Sequence, residues 1–263
     1  MKLGYQTITW GGVVGQAQGV TSIKDLFYQT YGSTAKACED IAAAGYTGIE
    51  IFDGNLAEYA NDPDSFKSLL SKHKLELVSV YTGANFIYND ILVDEFHKIK
   101  QAIALAKSMG AINLIVGGGA KRSTGTTEED FQMLAKGLDQ VTDLAAAAGL
   151  TACYHPHLTT IVETTAELDK IMSLSKIHFC PDTAHLTAGG VDAAANFRQT
   201  VDKQVGGGAG ANTQDSIVIN FWAHIIQSSL GHSLFQFILV HWLDTPGAMV
   251  GDQYRPAASY RQH

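Results

Sequence analysis

Cysteine is scarce in this chain: three in 263 residues, Cys38, Cys153 and Cys180. They stand far apart and form no CxxC pair, which argues against a disulfide framework and fits buried thiols in a reducing compartment. Basic charge is also short, with 18 Lys and Arg against 26 Asp and Glu and a net charge of −8. A nucleic-acid binder usually carries a basic face, so that class is not expected. The opening residues Met1-Lys2-Leu3-Gly4-Tyr5 show neither an apolar signal-peptide core nor a small-residue cleavage site, and the expected compartment is the cytoplasm. Gly11-Gly12-Val13-Val14-Gly15, after the first apolar run, does not match the GxGxxG of a dinucleotide-binding turn. No Glu follows Glu167, and Ser216–Leu243 holds no Asp, Glu, Lys or Arg. That stretch is long enough to cross a bilayer, but its three histidines, two glutamines and several serines make it a poor span. One or two buried strands and a helix are expected there instead, after a low-complexity, glycine-rich joint at Gln204–Ala211.

What the chain does hold is a repeated rhythm of short apolar run, turn, helix and glycine. Strands are expected at Leu3–Trp10, Thr47–Phe52, Leu75–Thr82, Ile112–Val116, Leu150–Cys153 and Ile177–Cys180. Helices are expected between them: from Ser33 to Gly45, from Pro63 to about Lys74, from Asp90 to Met109 and from Thr126 or Thr127 to near Gly149, with Ser33 as an N-cap and Gly45 as a C′ residue. Strands alternating with helices imply a parallel sheet. A doubly wound sheet and a barrel both satisfy that pattern. The polar residues after many different strands favour a barrel, whose strand ends converge on one mouth. They include Trp10, Glu50, Asp53, Tyr81, the Gly117–Lys121 turn, His155 and His157, and Asp182 and His185. A single domain over 1–263 is expected, with 204–263 differing in character from 1–203.

The densest chemistry lies in Tyr154-His155-Pro156-His157, continued by Glu163 and answered by Asp182-Thr183-Ala184-His185. Imidazoles and carboxylates together suit a divalent ion such as Mn²⁺, Co²⁺, Mg²⁺ or Zn²⁺. Each residue also has a purely structural reading. His155 and His157 are two apart and would share a face on a regular strand, but Pro156 interrupts it. Glu163 could merely favour a helix start, and Asp182 could merely cap one. Glu50 could be a buried hydrogen-bond partner, and Trp10 ordinary core. Lys121-Arg122 could grip a phosphate or sit as surface charge.

Gly4–Trp10, Gly48–Phe52, the HPH…E string ending at Glu163 and Pro181-Asp182-Thr183-Ala184-His185 with Gly189-Gly190 resemble the xylose-isomerase-like barrel superfamily of sugar isomerases and epimerases. The inosose dehydratase branch is the nearest in likeness. The resemblance implies a (β/α)₈ TIM barrel with an atypical C-terminal end and a divalent ion at its mouth. It implies Glu163, Asp182 and His241 as metal ligands, the last through the loose match Val240-His241-Trp242-Leu243-Asp244, with Glu163 and His185 catalytic. Trp10, Glu50, His157 and His185 are the implied substrate contacts. A second glutamate of the family has no counterpart here. The implied activity is isomerisation or epimerisation of a sugar or sugar phosphate through an enediolate, with dehydration of an inosose and a non-catalytic sugar- or metal-binding barrel as alternatives. The expected partner is a small sugar or polyol, without nucleic acid or membrane, and with a homo-oligomer left open.

Overall fold

The computed structural model describes residues 2–10 and 27–192, together with the backbone of 216–225 and 233–242. Its frame is a run of β/α units. β1 (Lys2–Gln6) leads to α1 (Thr34–Ala43), β2 (Gly48–Phe52), α2 (Asp53–Ala57), α3 (Pro63–His73), β3 (Glu76–Gly83) and α4 (Leu92–Ser108). β4 (Asn113–Gly117), α5 (Glu128–Ala148), β5 (Thr151–His155), α6 (Thr165–Leu174), β6 (His178–Phe179) and α7 (Thr183–Ala188) follow. β1 to β6 pair in sequence order, every pair parallel.

The local signals act where they are expected. Ser33 Oγ accepts from Lys36 N and caps α1, and Gly45 follows with φ 88°. Thr127 and Asp130 form a reciprocal capping box at α5, and Gly149 closes that helix in the left-handed region. Two boundaries differ from expectation. β1 ends at Gln6 because the Gln6 side chain accepts from Ile8 N and starts a 3₁₀ turn over Thr7–Thr9. Asp53-Gly54-Asn55, at the end of the second strand, opens a short helix, α2, that is not among the expected ones, and both polar side chains bond the chain segment at 28–30.

β7 (Ser216–Ile225) and β8 (Ser233–Trp242) complete an eight-stranded sheet in the order β6-β5-β4-β3-β2-β1-β8-β7. β8 lies antiparallel to β1, and β7 antiparallel to β8. The two strands expected in the uncharged run are present, and no helix accompanies them among the described residues. The link from Ile225 to Ser233 is too short for a parallel crossover, which needs about a dozen residues or more, so this pair can only be antiparallel. The C-terminal end is therefore atypical for a (β/α)₈ barrel.

Alternation sorts the side chains into two layers. Leu114, Val116, Ala152 and Tyr154 face the helices, within a core that includes Ile41, Ile99, Leu134 and Ile171. Phe52, Val78, Tyr81, Ile115, Cys153 and Cys180 form an inner cluster, with Ile8 and Tyr28 against it. All three cysteines are free and buried. No helix among the described residues is long and apolar enough to cross a membrane.

Candidate metal centre

β5 carries Cys153 on the inner face and, two residues on, His155, which is 1% exposed. Pro156 follows at once and ends the strand. On the neighbouring unit, Asp182 caps α7: its Oδ1 accepts the N–H groups of Ala184 at 2.8 Å and His185 at 2.9 Å. The same cap turns Oδ2 inward, where it is buried and has no hydrogen-bond partner among the described residues. Nε2 of His155 and Nε2 of His185 each lie 3.9 Å from that oxygen. Ligand atoms of His155, Asp182 and His185 all fall within 4.8 Å of one another. Donors that share a zinc-like ion at about 2.0–2.2 Å stand about 3–4 Å apart, so the group fits a divalent cation with little adjustment.

Burial sets the charge states. It pushes the Asp182 carboxyl up to about 7, against the two backbone N–H bonds that lower it. It drives His185 down to about 3, helped by the neighbouring His157, and holds His155 well below the usual imidazole range. Neutral imidazoles are the form that binds metal. A hydrogen bond with the Cys180 main chain fixes the His155 ring. His157 packs on His185 with ring centroids 3.7 Å apart, and burial lowers its basicity too. Nδ1 of His157 lies 2.8 Å from the Leu158 carbonyl, which can only accept, so Nδ1 carries the proton and Nε2 is the basic atom.

Glu163 stands at this mouth but in other company. Oε2 accepts from the Lys121 ammonium and Oε1 from the Thr159 N–H. Its charge acts on His157, and it does not belong to the group of three potential ligands. Lys121 is aimed by a pinned turn. Ala120 N donates to Asn85 Oδ1, Tyr88 Oη donates to the Lys121 carbonyl, and Arg122 bonds Asp130 and the Ile87 carbonyl. Both cations that could have gripped a phosphate are thus held by carboxylates.

The remaining expected residues are dispersed. Glu50 is fully buried on β2, bonded by Ser79 Oγ, with Oε1 unpartnered among the described residues, and burial raises it to about 8. Trp10 turns to the helix side of the sheet, where Nε1 donates to Asp40 at 3.0 Å and the ring meets Tyr5 edge-on. His241 lies on β8 opposite Ile217, and its side chain is outside the described residues. Asp244, Asp252, His232 and the glycines 206–208 and 210 are outside them as well. Sequence reasoning passed over Tyr28, whose ring lies against Phe52 and Tyr81 at centroid distances of 5.7 and 5.2 Å. The only local signal was the Asp53-Gly54-Asn55 triplet that anchors it.

Comparison with known proteins agrees with this frame. The model of a family described as the xylose isomerase-like TIM barrel matches residues 38–211. An inosose dehydratase of Lacticaseibacillus casei is 29% identical over 183 residues, covering 64% of this chain and 60% of that protein. One of Clostridium perfringens is 28% identical over 187 residues, covering 65% and 61%. The chain thus spans about 60% of the length of these curated relatives. Among solved structures, a probable 3-DHS dehydratase from Bacillus anthracis superposes with a TM-score of 0.60 at 17% identity, covering 76% of this chain and 70% of that one. The IOLI protein with a bound zinc atom superposes with a TM-score of 0.56 at 18% identity, covering 73% and 66%. At these identities the structural likeness is one of fold.

Proposed function

Because the chain belongs to the xylose isomerase-like TIM barrel family, we propose that it binds a divalent metal ion through His155, Asp182 and His185 and acts on a keto-polyol or keto-sugar. The reaction removes the proton beside the carbonyl, and loss of a β-hydroxyl from the resulting enediolate gives a dehydrated product. Dehydration of an inosose is favoured over epimerisation by the relatives from Lacticaseibacillus casei and Clostridium perfringens, both inosose dehydratases. The observation that carries the reading is the buried Oδ2 of Asp182, which has no hydrogen-bond partner among the described residues and faces two imidazole Nε2 atoms.

A divalent ion there would supply Lewis-acid stabilisation of negative charge on a carbonyl oxygen. The chain's own groups do the rest. The α7 cap holds the Asp182 carboxylate in one orientation. Nε2 of His157 is the basic atom beside His185 and can take a proton from carbon or return one to a leaving hydroxyl. Glu163 is the second proton-transfer group once a substrate hydroxyl displaces Lys121 from Oε2. Phe52 and Tyr81, nearly fully buried, keep water from the inner side. The setting is cytoplasmic, in keeping with three free buried thiols.

Turnover of an inosose and of ketohexoses with added Mn²⁺ or Co²⁺, read by deuterium exchange at the carbon next to the carbonyl, tests the proposal. Exchange that requires metal and falls in Glu163→Gln supports it. Exchange indifferent to both overturns the residue assignment. A second reading, a sugar- or metal-binding barrel without turnover, is favoured by the Lys121–Glu163 pair, which occupies the carboxylate of the proposed proton-transfer group. Metal and ketone binding with no exchange would select it.

A further inference from the structure

We propose that Tyr28 determines specificity at this mouth, its ring forming the wall on which the carbon face of a cyclic keto-polyol lies. The proposal rests on the metal-dependent reading above and adds the substrate's shape to it. Tyr28 N donates to Asp53 Oδ1 at 2.9 Å, and the Tyr28 carbonyl accepts from Gly54 N at 2.9 Å. Two residues on, Thr30 N donates to Asn55 Oδ1 at 2.9 Å while Asn55 Nδ2 donates to the Thr30 carbonyl at 3.0 Å. Asp53 and Asn55 are each 1% exposed, and Asp53 Oδ2 accepts from Thr82 Oγ1 at 2.7 Å. A loop segment is thereby held as firmly as a strand, by buried side chains of the next β/α unit.

The backbone is cleared for the ring as well. A Cβ at Gly83 would come within 2.6 Å of the Tyr28 ring, and one at Gly54 within 2.4 Å of the Tyr28 carbonyl. Gly118, at φ 87°, passes beneath the phenol oxygen. Of the three packed rings, Phe52 and Tyr81 are 3% and 7% exposed, whereas Tyr28 is partly open. An incoming molecule therefore meets Tyr28. Tyr81 meets His155 edge-on at 5.7 Å, so the aromatic wall runs without a break to the metal-compatible group.

The chemistry follows from the ring. An aromatic face is electron-rich and apolar, and it suits a surface of C–H bonds. A six-membered polyol or its ketone presents such a face on one side and hydroxyls at its edge, whereas an open-chain ketose holds no fixed face. The phenol hydroxyl can donate to or accept from a ring hydroxyl. The wall therefore selects ring-shaped substrates.

The test is calorimetric binding of an inosose and of erythrulose, a ketose too short to close a stable ring, to the Mn²⁺-loaded full chain, its Tyr28→Leu variant and its Tyr28→Phe variant. Tyr28→Leu is expected to weaken inosose binding at least about tenfold, with erythrulose and Mn²⁺ affinities within about twofold of wild type; Tyr28→Phe is expected to keep inosose within about threefold. Inosose binding unchanged in Tyr28→Leu overturns the proposal. So does equal loss of both ketones, which would mark a structural role. Wild type that binds Mn²⁺ but neither ketone overturns the substrate assignment and this proposal together. Wild type that does not bind Mn²⁺ overturns the metal reading on which both stand.

Discussion

Glu50 carries its carboxyl in the interior with one oxygen on Ser79 and the other without a partner among the described residues, and burial raises it to about 8. An unfolded glutamate titrates near 4.3, so between that pH and about 8 the folded chain keeps a proton that the unfolded chain has released. Stability contributed at Glu50 is thus fully present at low pH, falls as pH rises through this window, and levels off above it. Glu50→Gln should flatten the dependence and stabilise the protein at pH 8–9 by on the order of a few kcal/mol. Urea denaturation of both proteins from pH 5 to 9 measures it, and parallel curves would refute it. Asp182 divides its two oxygens between a cap and an inward lone position. Asn caps about as well as Asp and leaves no charge to bury, so Asp182→Asn should keep the thermal midpoint of the metal-free protein near wild type at pH 4 and raise it at pH 7 and above, where burial of the carboxylate opposes folding. It should lower zinc or manganese affinity about a hundredfold, since an anionic ligand is lost. Calorimetric titration decides this, and equal affinities would remove Asp182 from the ligand set.

At the scale of elements, helix ends and strand ends behave differently. Helix ends obey neighbours: Thr127 with Asp130, Thr164 with Glu167, and Asp62 ahead of Pro63 each satisfy backbone N–H groups within one turn. Gly149 closes α5 at φ 81°, with nothing within 4 Å of where a Cβ would be. Gly149→Ala therefore tests backbone conformation without a packing change, and it should cost about 1–2 kcal/mol in urea unfolding. A loss below a few tenths would mean that the helix end simply re-forms elsewhere. Strand ends obey the sheet. β5 runs two residues beyond its apolar run because register pairs Tyr154 with Val116 and His155 with Gly117, and this extension delivers His155 to the mouth.

For the whole molecule, the metal-compatible residues come from two adjacent units, β5 and the β6–α7 turn, so an ion bound to them would link those units in the folded state alone. A divalent ion at a hundred times its dissociation constant should add about 2.7 kcal/mol to the free energy of unfolding. The thermal midpoint should rise with Mn²⁺ or Zn²⁺, return with chelator, and stay put in Asp182→Asn. A rise of equal size in the variant would place the ion elsewhere. The short link between β7 and β8 accounts for the antiparallel pairing of those two strands at the edge of the sheet.

The sequence by itself determined whatever depends on neighbours within about four residues. That covers the six parallel strands and most helix ends, from Ser33 and Gly45 to Thr127 and Gly149, because caps, glycines and alternation act locally. It also placed Asp182 and His185 on one short turn, where Asp182 caps the helix that carries His185. Tertiary structure alone decided who meets whom. Glu163 stood in the sequence as a ligand beside Asp182; in the fold it lies with Lys121, 42 residues away, while His155 crosses from β5 to face Asp182. Trp10 reached Asp40 on the helix side, and Tyr28 reached Asp53 across 25 residues. Each such pairing is a competition among several possible partners, settled by strand register and by which side of the sheet a side chain takes. Neither quantity is carried by any single stretch of the chain.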